Sequence, residues 1–557
     1  MTIYSFSPFG YEGNLVTVEV DLRRGIPAID IVGLADNAVK ESRERMKSAI
    51  RNSGFDFPLE RVLISLAPAD LKKEGSGFDL PLALAVLAAS NTACNGKDSD
   101  GIDGESILVM GELELSGVLR PVRAVHAAAS TALQAGITKC IVARANAAEA
   151  REVAGMKVFG AENLTEAYEA LKKPELFTGL SDDADRFFIP EGSINMSGVL
   201  FPAENKSFEF GDIVNQKKLV RALQIAAAGG HNVLAYGPPG CGKTLAMSRF
   251  PALLPLLTVE EAQSVTRIHS IAGLLRPDEP LMRVPAFRMP HQSSSLEGIC
   301  GGGTQSRPGE ISLAHNGVLF LDEAAEFKSS VLQMLRVPIE TGYVTLSRAG
   351  RTTTYPARFQ LLVASNPCPC GNYGSSSKIC MCSLKSVEQY WRKFSGPLLD
   401  RIDIRIHVEN ETESITIAER NPPHPCEICT DQSECCSCIK IQNVCNESSV
   451  ERLTTAKLRE KIGRAVLIQR ERKGKKNACL APQEIAEFCQ LGKDEQEILD
   501  CAIQNSDFSQ RAVSSILKIS RTIADMEGSQ KIASRHLIEA IELRQDAGPM
   551  DLFNSSK

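Results

Sequence analysis

A chain of 557 residues is too long for a single hydrophobic core and divides into several domains. With 43% hydrophobic and 23% charged residues it is not a disordered or fibrous chain, and a formal charge of −6 with a pI near 5.9 excludes a protein coated in basic residues. A local basic surface such as a ring pore remains compatible with these values. Met1–Val20 lacks a basic flank followed by a long apolar run, so no secretion signal is expected. Apolar runs such as Leu80–Ala89 are about half a bilayer span, so no membrane segment is expected either. Seventeen cysteines in such a chain point to thiols and metal ligands in a reducing compartment, and the expected localisation is cytoplasmic.

The first region, residues 1–171, mixes both periodicities. Val16–Leu22 alternates with period two and predicts a half-buried strand. Ala38–Asn52 predicts a helix with Val39, Met46, Ala49 and Ile50 on one face. Arg61–Leu66 predicts a strand, Asp79–Ala89 a buried helix, and Ile107–Leu113 a further strand. Two stretches, Pro68–Pro81 and Gly111–Val122, resemble the nucleophile loop and the strand before the catalytic lysine in Lon-protease-type domains. In that register the serine position is Gly77 and the lysine position is His126, with Ser76 one residue off. A Ser–Lys mechanism needs a hydroxyl beside an amine of lowered pKa. The resemblance therefore implies an inactive α/β domain of this type, with no peptidase activity. Residues 172–210, rich in Pro, Gly and Asp, read as a linker with a strand-like tether at Phe187–Ile189.

Residues 211–409 carry the chemistry. His231–Tyr236 predicts a buried strand and Leu245–Phe250 a helix. Between them runs Gly237, Pro238, Pro239, Gly240, Cys241, Gly242, Lys243 and Thr244, the G-x-x-x-x-G-K-[ST] pattern in its required strand–helix setting. Backbone N–H groups of such a loop close around phosphates, Lys243 reaches the β/γ-phosphates, and Thr244 holds Mg²⁺. This predicts a binding site for ATP and Mg²⁺. Asn316–Glu323 is an apolar strand ending in two acids, of which Asp322 would bind Mg²⁺ through water and Glu323 would polarise the attacking water. Cys241 is expected to be exposed enough to react with alkylators, without a catalytic part.

Phe359–Asn366 is a buried strand ending in an amide, similar to the sensor asparagine of AAA+ ATPases. That resemblance implies a role for Asn366 in orienting water. It also implies that Arg401, in Gly396–Asp403, reaches a neighbouring subunit's γ-phosphate; the competing reading is an ion pair with Asp400 or Asp403. A finger supplied in trans implies a ring, here a homo-hexamer. A long segment from Arg267 to Pro308 contains Arg283, Arg288, His291, Arg307 and Gly301-Gly302-Gly303. Thr341–Pro356 predicts a β-hairpin turning at Ala349-Gly350, with Arg348 and Arg351 placed to line a pore and contact DNA phosphates.

Within residues 366–383, Cys368, Cys370, Cys380 and Cys382 form two C-x-C pairs that can supply four thiolates to structural Zn²⁺. A second set, Cys426, Cys429, Cys435, Cys436, Cys438 and Cys445, lies in a Cys-rich insertion at 410–449 and offers an ambiguous ligand set. Residues 450–557 predict an all-helical region beginning with a basic helix at Glu451–Gly474. It resembles the AAA+ lid, and the resemblance implies that Arg511, in preference to Arg521, is the second sensor arginine.

Taken together, the phosphate loop, the stretch Arg307–Gly317, the hairpin and Ser395–Asp403 resemble the magnesium-chelatase subfamily of AAA+ proteins. With the Lon-like front they resemble the YifB/ComM family over almost the whole chain. The resemblance implies a multidomain α/β fold: an inactive Lon-like domain, an AAA+ phosphate-loop core and a helical lid. It implies a hexameric ATP-driven DNA motor that promotes branch migration during integration of transforming DNA. The alternative is a chelatase-type ATPase that remodels a protein partner.

Overall fold

The structure, a computed structural model, describes residues 2–34, 36–71, 73, 75–95, 106–179, 187–213, 216–303, 306–348, 351–374, 378–409, 453–506 and 508–545. The chain folds as two compact units. The first gathers Met1–Glu191, Leu256–Leu319 and Met334–Phe359; the second gathers Gly192–Pro255, Phe320–Gln333 and Gln360–Lys557.

The first unit is built on a seven-stranded sheet in the order Ile29–Val32, Arg61–Ala67, Asn14–Arg23, Thr2–Ser7, Ser106–Met110, Lys139–Ala143, Lys157–Ala161. Thr2–Ser7 pairs antiparallel with Asn14–Arg23 and parallel with Ser106–Met110, and the edge strand Ile29–Val32 is parallel to Arg61–Ala67, so the sheet is mixed. Period-two alternation sends neighbouring side chains to opposite faces. Ile107, Val109 and Ile141 enter a core shared with the helices Asn37–Asn52, Asp79–Asn95 and Leu164–Lys172. Leu108, Met110, Cys140 and Val142 enter a second core with the helix Val125–Gln134. The result is helices on both faces of a mixed sheet. Asp36 starts the first helix by accepting from the backbone N–H of Val39 at 2.8 Å.

The expected strand 107–113 breaks after Met110. Glu112–Leu113 leaves the sheet and pairs with Leu119–Arg120, and the Leu113 N–H goes to Asp79 Oδ2 at 3.2 Å. Nor do residues 187–189 form a strand. Phe187 and Phe188 pack instead on Leu257, Ala262 and Leu281.

In the second unit, the buried strand Val233–Tyr236 lies between Gln360–Ser365 and Ile404–His407 and is parallel to both. Phe320–Leu321, the part of the strand Val318–Leu321 that belongs to this unit, flanks Gln360–Ser365 on its other side. All twelve residues of Val318–Leu321, Val233–Tyr236 and the four paired positions Leu362–Ser365 are buried, which is why these segments are continuous apolar runs and not alternating ones. The helices Thr455–Lys473, Pro482–Phe488, Lys493–Ser506, Gln510–Met526 and Ser534–Gln545 follow. Their centre holds Asp525, fully buried, which accepts from Arg472, Arg521 and Asn477. Among the described residues no helix is long and apolar enough to cross a membrane.

Candidate functional site

The loop Gly237–Thr244 joins the strand Val233–Tyr236 to the helix Lys243–Ser248. Gly240 and Gly242 take φ of 84° and 87°, left-handed conformations that side chains other than glycine strain to adopt. Among the described residues nothing lies within 4 Å of the position a Cβ would take at either. Lys243 is buried and its Nζ donates to the carbonyls of Gly237 and Pro238 at 2.7 and 2.8 Å. A phosphate is a stronger, charged acceptor than a carbonyl, so the ammonium is stored at the position from which it would meet one. Cys241 is 5% exposed and its Sγ lies 3.5 Å from Lys243 Nζ, which corrects the expectation of an accessible thiol.

Two further elements converge here. Thr244 Oγ1 donates to Asp322 Oδ1 at 3.1 Å, although 78 residues separate them. A hydroxyl and a carboxylate so placed fit the two protein positions of a phosphate-loop Mg²⁺ site. Glu323 follows directly, its N–H donating to Asp322 Oδ1 at 3.0 Å and its backbone at φ 46°, ψ 46°. A glutamate in the left-handed region is strained, and strain of this kind is retained where a side chain must be aimed. Asn366 ends the neighbouring strand Gln360–Ser365, and the Ser365 carbonyl accepts from the N–H of Gly237 at 3.3 Å. Lys243, Thr244, Asp322, Glu323 and Asn366 thus follow the ends of three neighbouring strands of one sheet.

Arg401 sits apart in sequence, after the short helix Gly396–Leu399, and its Nη1 donates to the Pro397 carbonyl at 2.6 Å. Its carbonyl accepts from Asn232 Nδ2 at 3.2 Å. Buried Arg544 donates to the carbonyls of Asp400, Ile402 and Asp403 around it. Burial lowers the Arg544 pKa to about 10, leaving it charged at neutral pH. Ser509 Oγ donates to Asp400 Oδ1 at 2.9 Å, so the start of the helix Gln510–Met526, with exposed Arg511, is tied to the residue before Arg401. Arg521 on the same helix is buried in bonds to Asp525, Gln530 and Ser529.

Comparisons with known proteins identify the family. Three family models match: "Magnesium chelatase, subunit ChlI" over residues 209–416, "Subunit ChlI of Mg-chelatase" over 18–146, and "Magnesium chelatase, subunit ChlI C-terminal" over 452–544. Competence protein ComM of Haemophilus influenzae is 37% identical over 543 residues, covering 97% of each chain. The chain belongs to the YifB/ComM family of magnesium-chelatase-like proteins. YifB of Salmonella typhimurium is 36% identical over 97% of this chain and 96% of its own. The magnesium-chelatase 38 kDa subunit of Cereibacter sphaeroides is 28% identical over 29% of this chain and 53% of its own. Membership of this AAA+ family makes the chain an ATPase of magnesium-chelatase type, with the loop, Thr244 and Asp322 fitting ATP and Mg²⁺.

Beside the phosphate loop of this YifB/ComM chain stand Cys368, Cys370, Cys380 and Cys382. Their Sγ atoms all lie within 4.8 Å of one another, with separations of 3.3, 3.7 and 3.5 Å among the first three. A zinc–sulfur bond of about 2.3 Å places tetrahedral thiolates about 3.8 Å apart, whereas a disulfide would bring two sulfurs to about 2.05 Å. The four thiols therefore fit one tetrahedral metal. The Asn372 backbone N–H pushes the Cys370 thiol down to about 6, favouring the ligand form. This knuckle touches the loop: a Cβ on Gly371 would lie 2.6 Å from Pro239 Cδ. Trp391 Nε1 also donates to the Pro367 carbonyl at 2.9 Å, holding its base. The second cysteine set, 426–445, lies outside the described residues.

The hairpin Tyr343–Arg348 and Arg351–Pro356 forms in the expected register, with Arg348 opposite Arg351. Its tip, 349–350, and the side chains of Arg348 and Arg351 lie outside the described residues. Three basic residues of the preceding segment serve the fold itself. Arg283 is buried and donates to the Leu257 carbonyl, Arg288 pairs with Glu310 at 2.6 Å, and Arg267 is buried. In the N-terminal region Ser76 Oγ bonds Glu112, and His126 is buried with Nε2 2.7 Å from Gln263 Oε1. Desolvation lowers the His126 pKa to about 4, so the ring is neutral at neutral pH. Sequence reasoning missed Asn232, Arg544 and Trp391. Each binds main-chain groups distant in sequence and none belongs to a local motif.

Proposed function

We propose that this chain is an ATP-driven DNA motor working as a homo-hexamer, and that it moves branched DNA during recombination or uptake of transforming DNA. The observation that carries the hydrolytic half is the Thr244–Asp322 contact at 3.1 Å beside Glu323, which joins the phosphate loop to a metal-binding and a water-polarising acid. The DNA half is supported by full-length similarity to a protein named for competence and by a two-stranded hairpin with arginines flanking its tip. In this reading Arg348 and Arg351 contact phosphates in the pore, and Arg401 and Arg511 complete the site of a neighbouring copy. Gly77 and His126 replace the Ser–Lys pair, so the N-terminal region, which we take to be Lon-like, cleaves no peptide.

The second reading, a chelatase-type motor acting on a protein partner, is favoured by the three chelatase family models. ATP turnover with and without branched DNA separates the two. The DNA reading expects stimulation by DNA; the partner reading expects turnover indifferent to it.

In the same proposal Cys368, Cys370, Cys380 and Cys382 hold structural zinc that braces Pro239. The purified protein is expected to carry about one zinc per chain by elemental analysis. The double variant Cys370→Ser/Cys382→Ser should carry none and should bind ATP more weakly. A parent protein that retains no metal through purification without chelators would count against the site.

A further inference from the structure

The helix Val259–Ala272, the N-terminal sheet and the hairpin Tyr343–Pro356 all belong to the first unit. The helix Val259–Ala272 presents a polar stripe of Gln263, Arg267 and Ser270, spaced four and three residues apart and so on one face. All three bond to the N-terminal region. Gln263 faces His126 Nε2 with its oxygen and donates its Nε2 to the Glu152 carbonyl. Ser270 Oγ bonds Glu149, which also accepts the His126 N–H at 2.9 Å. Arg267 donates to the carbonyls of Tyr11 and Glu12 at 2.8 and 3.0 Å and to Thr131 Oγ1 at 2.9 Å. Its guanidinium also lies over the Tyr11 ring at 4.7 Å from the centroid. Ile271, beside the stripe, belongs to the core of the N-terminal sheet with Phe6, Leu108 and Val125.

The same loop that Arg267 grips runs against the hairpin. Gly10 has φ 66°, and a Cβ there would lie 1.6 Å from Thr353 Oγ1, so loop and hairpin strand meet backbone to side chain. The hairpin is in turn laced to the antiparallel pair Gly301–Gly302 and Arg307–Pro308 through Tyr355, fully buried, whose hydroxyl donates to the Ser306 carbonyl at 2.8 Å. On its far side the helix bonds the segment before Val318: His269 Nε2 meets the Leu313 carbonyl at 3.0 Å and Asn316 donates to Ser264 Oγ at 3.3 Å. Asn316 N–H closes the circuit on the Arg358 carbonyl at 2.7 Å, at the foot of the hairpin.

A mobile accessory domain does not need a buried arginine spent on main-chain carbonyls, because burying a charge is costly unless every donor is used. We infer that the N-terminal domain is a positioning body for the two hairpins, gripped through Gln263, Arg267 and Ser270, and that Arg267 is the positioning residue that sets where the hairpin of Tyr343–Pro356 stands. This rests on the DNA-motor reading only for what the hairpin touches; the placement itself is independent of it.

The test uses the full-length protein and compares Arg267→Met, which keeps bulk and removes the bonds, with Arg267→Lys and with Gln263→Met. Amide hydrogen exchange in Tyr343–Arg348 and Arg351–Pro356 should rise about 10-fold in Arg267→Met, with Val233–Tyr236 protected as in the parent. DNA-stimulated ATP turnover should fall about 10-fold while DNA-free turnover stays within about 2-fold. Arg267→Lys should recover part of both, and Gln263→Met should show a smaller effect of the same kind. Unchanged hairpin exchange in Arg267→Met overturns the inference, and so does equal loss of protection throughout the seven-stranded sheet. If the parent shows no stimulation by DNA, it is the motor reading that fails, and the exchange result still decides the positioning role.

Discussion

Replacing Glu323 with glutamine is expected to cut ATP turnover by about 10²–10⁴-fold, the range for loss of a general base, while nucleotide affinity stays within about 3-fold of the parent. The substitution keeps size, replaces one carboxylate oxygen by an amide NH2 and removes the charge that, in the proposed reading, polarises water. It leaves Asp322, whose Oδ1 is shared by Thr244 and the Glu323 N–H, untouched. Because the Glu323 backbone is already left-handed, glutamine adopts the same conformation at the same cost, and folding should not change. The check is a single-turnover rate measured beside the binding of a fluorescent ATP analogue. A comparable loss of affinity would place Glu323 in nucleotide binding and remove it from hydrolysis.

Arg401→Ala carries an expectation as large, about 10³–10⁵ in turnover, if its guanidinium meets the transition state of a neighbouring copy. The segment around it has the rigidity such a role requires. Arg544 donates to three carbonyls on either side, and Asn232 ties the Arg401 carbonyl to the start of the phosphate-loop strand. Asn232 also accepts from Leu361 N–H at 2.8 Å, so the strand bearing Asn366 and the turn bearing Arg401 share one amide. The diagnostic measurement is mixing. Arg401→Ala supplies an intact Glu323, and Glu323→Gln supplies an intact Arg401. Mixed rings therefore contain some interfaces with both, and should recover a fraction of parental turnover that neither variant has alone. Mixtures as inactive as their components would place Arg401 within its own subunit's site.

The phosphate loop and Asp322 were legible because their chemistry is written in contiguous residues with a strand before or after. The cysteine knuckle was legible from spacing, and the hairpin from two alternating runs around a Gly-containing turn. What stayed hidden is held by bonds across long sequence separations. Arg267 looked like one cation in a basic segment, yet its partners lie 136 to 256 residues away. Arg283 and Arg288 were similarly absorbed by Leu257 and Glu310, which composition could not foresee. In the sequence only the resemblance to the AAA+ lid separates Arg511 from Arg521 on one helix. Burial distinguishes them, because Arg521 is committed to Asp525 and Arg511 stands exposed. Cys241 shows the opposite limit: a loop residue predicted to be accessible packs inward under the Lys243 ammonium. The break at Gly111 follows the same logic, since Asp79 captures an N–H that an extended strand would have kept in the sheet.

In the proposed reading, hydrolysis at Gly237–Thr244 moves DNA. The most direct measurement follows a labelled three- or four-stranded DNA junction with assembled parent protein, ATP and Mg²⁺, beside the Glu323→Gln variant. The parent should displace the labelled strand only when ATP is hydrolysed, and the variant should bind the junction without moving it. A parent ring that hydrolyses ATP at the same rate with and without the junction, and leaves every strand in place, would contradict the claim.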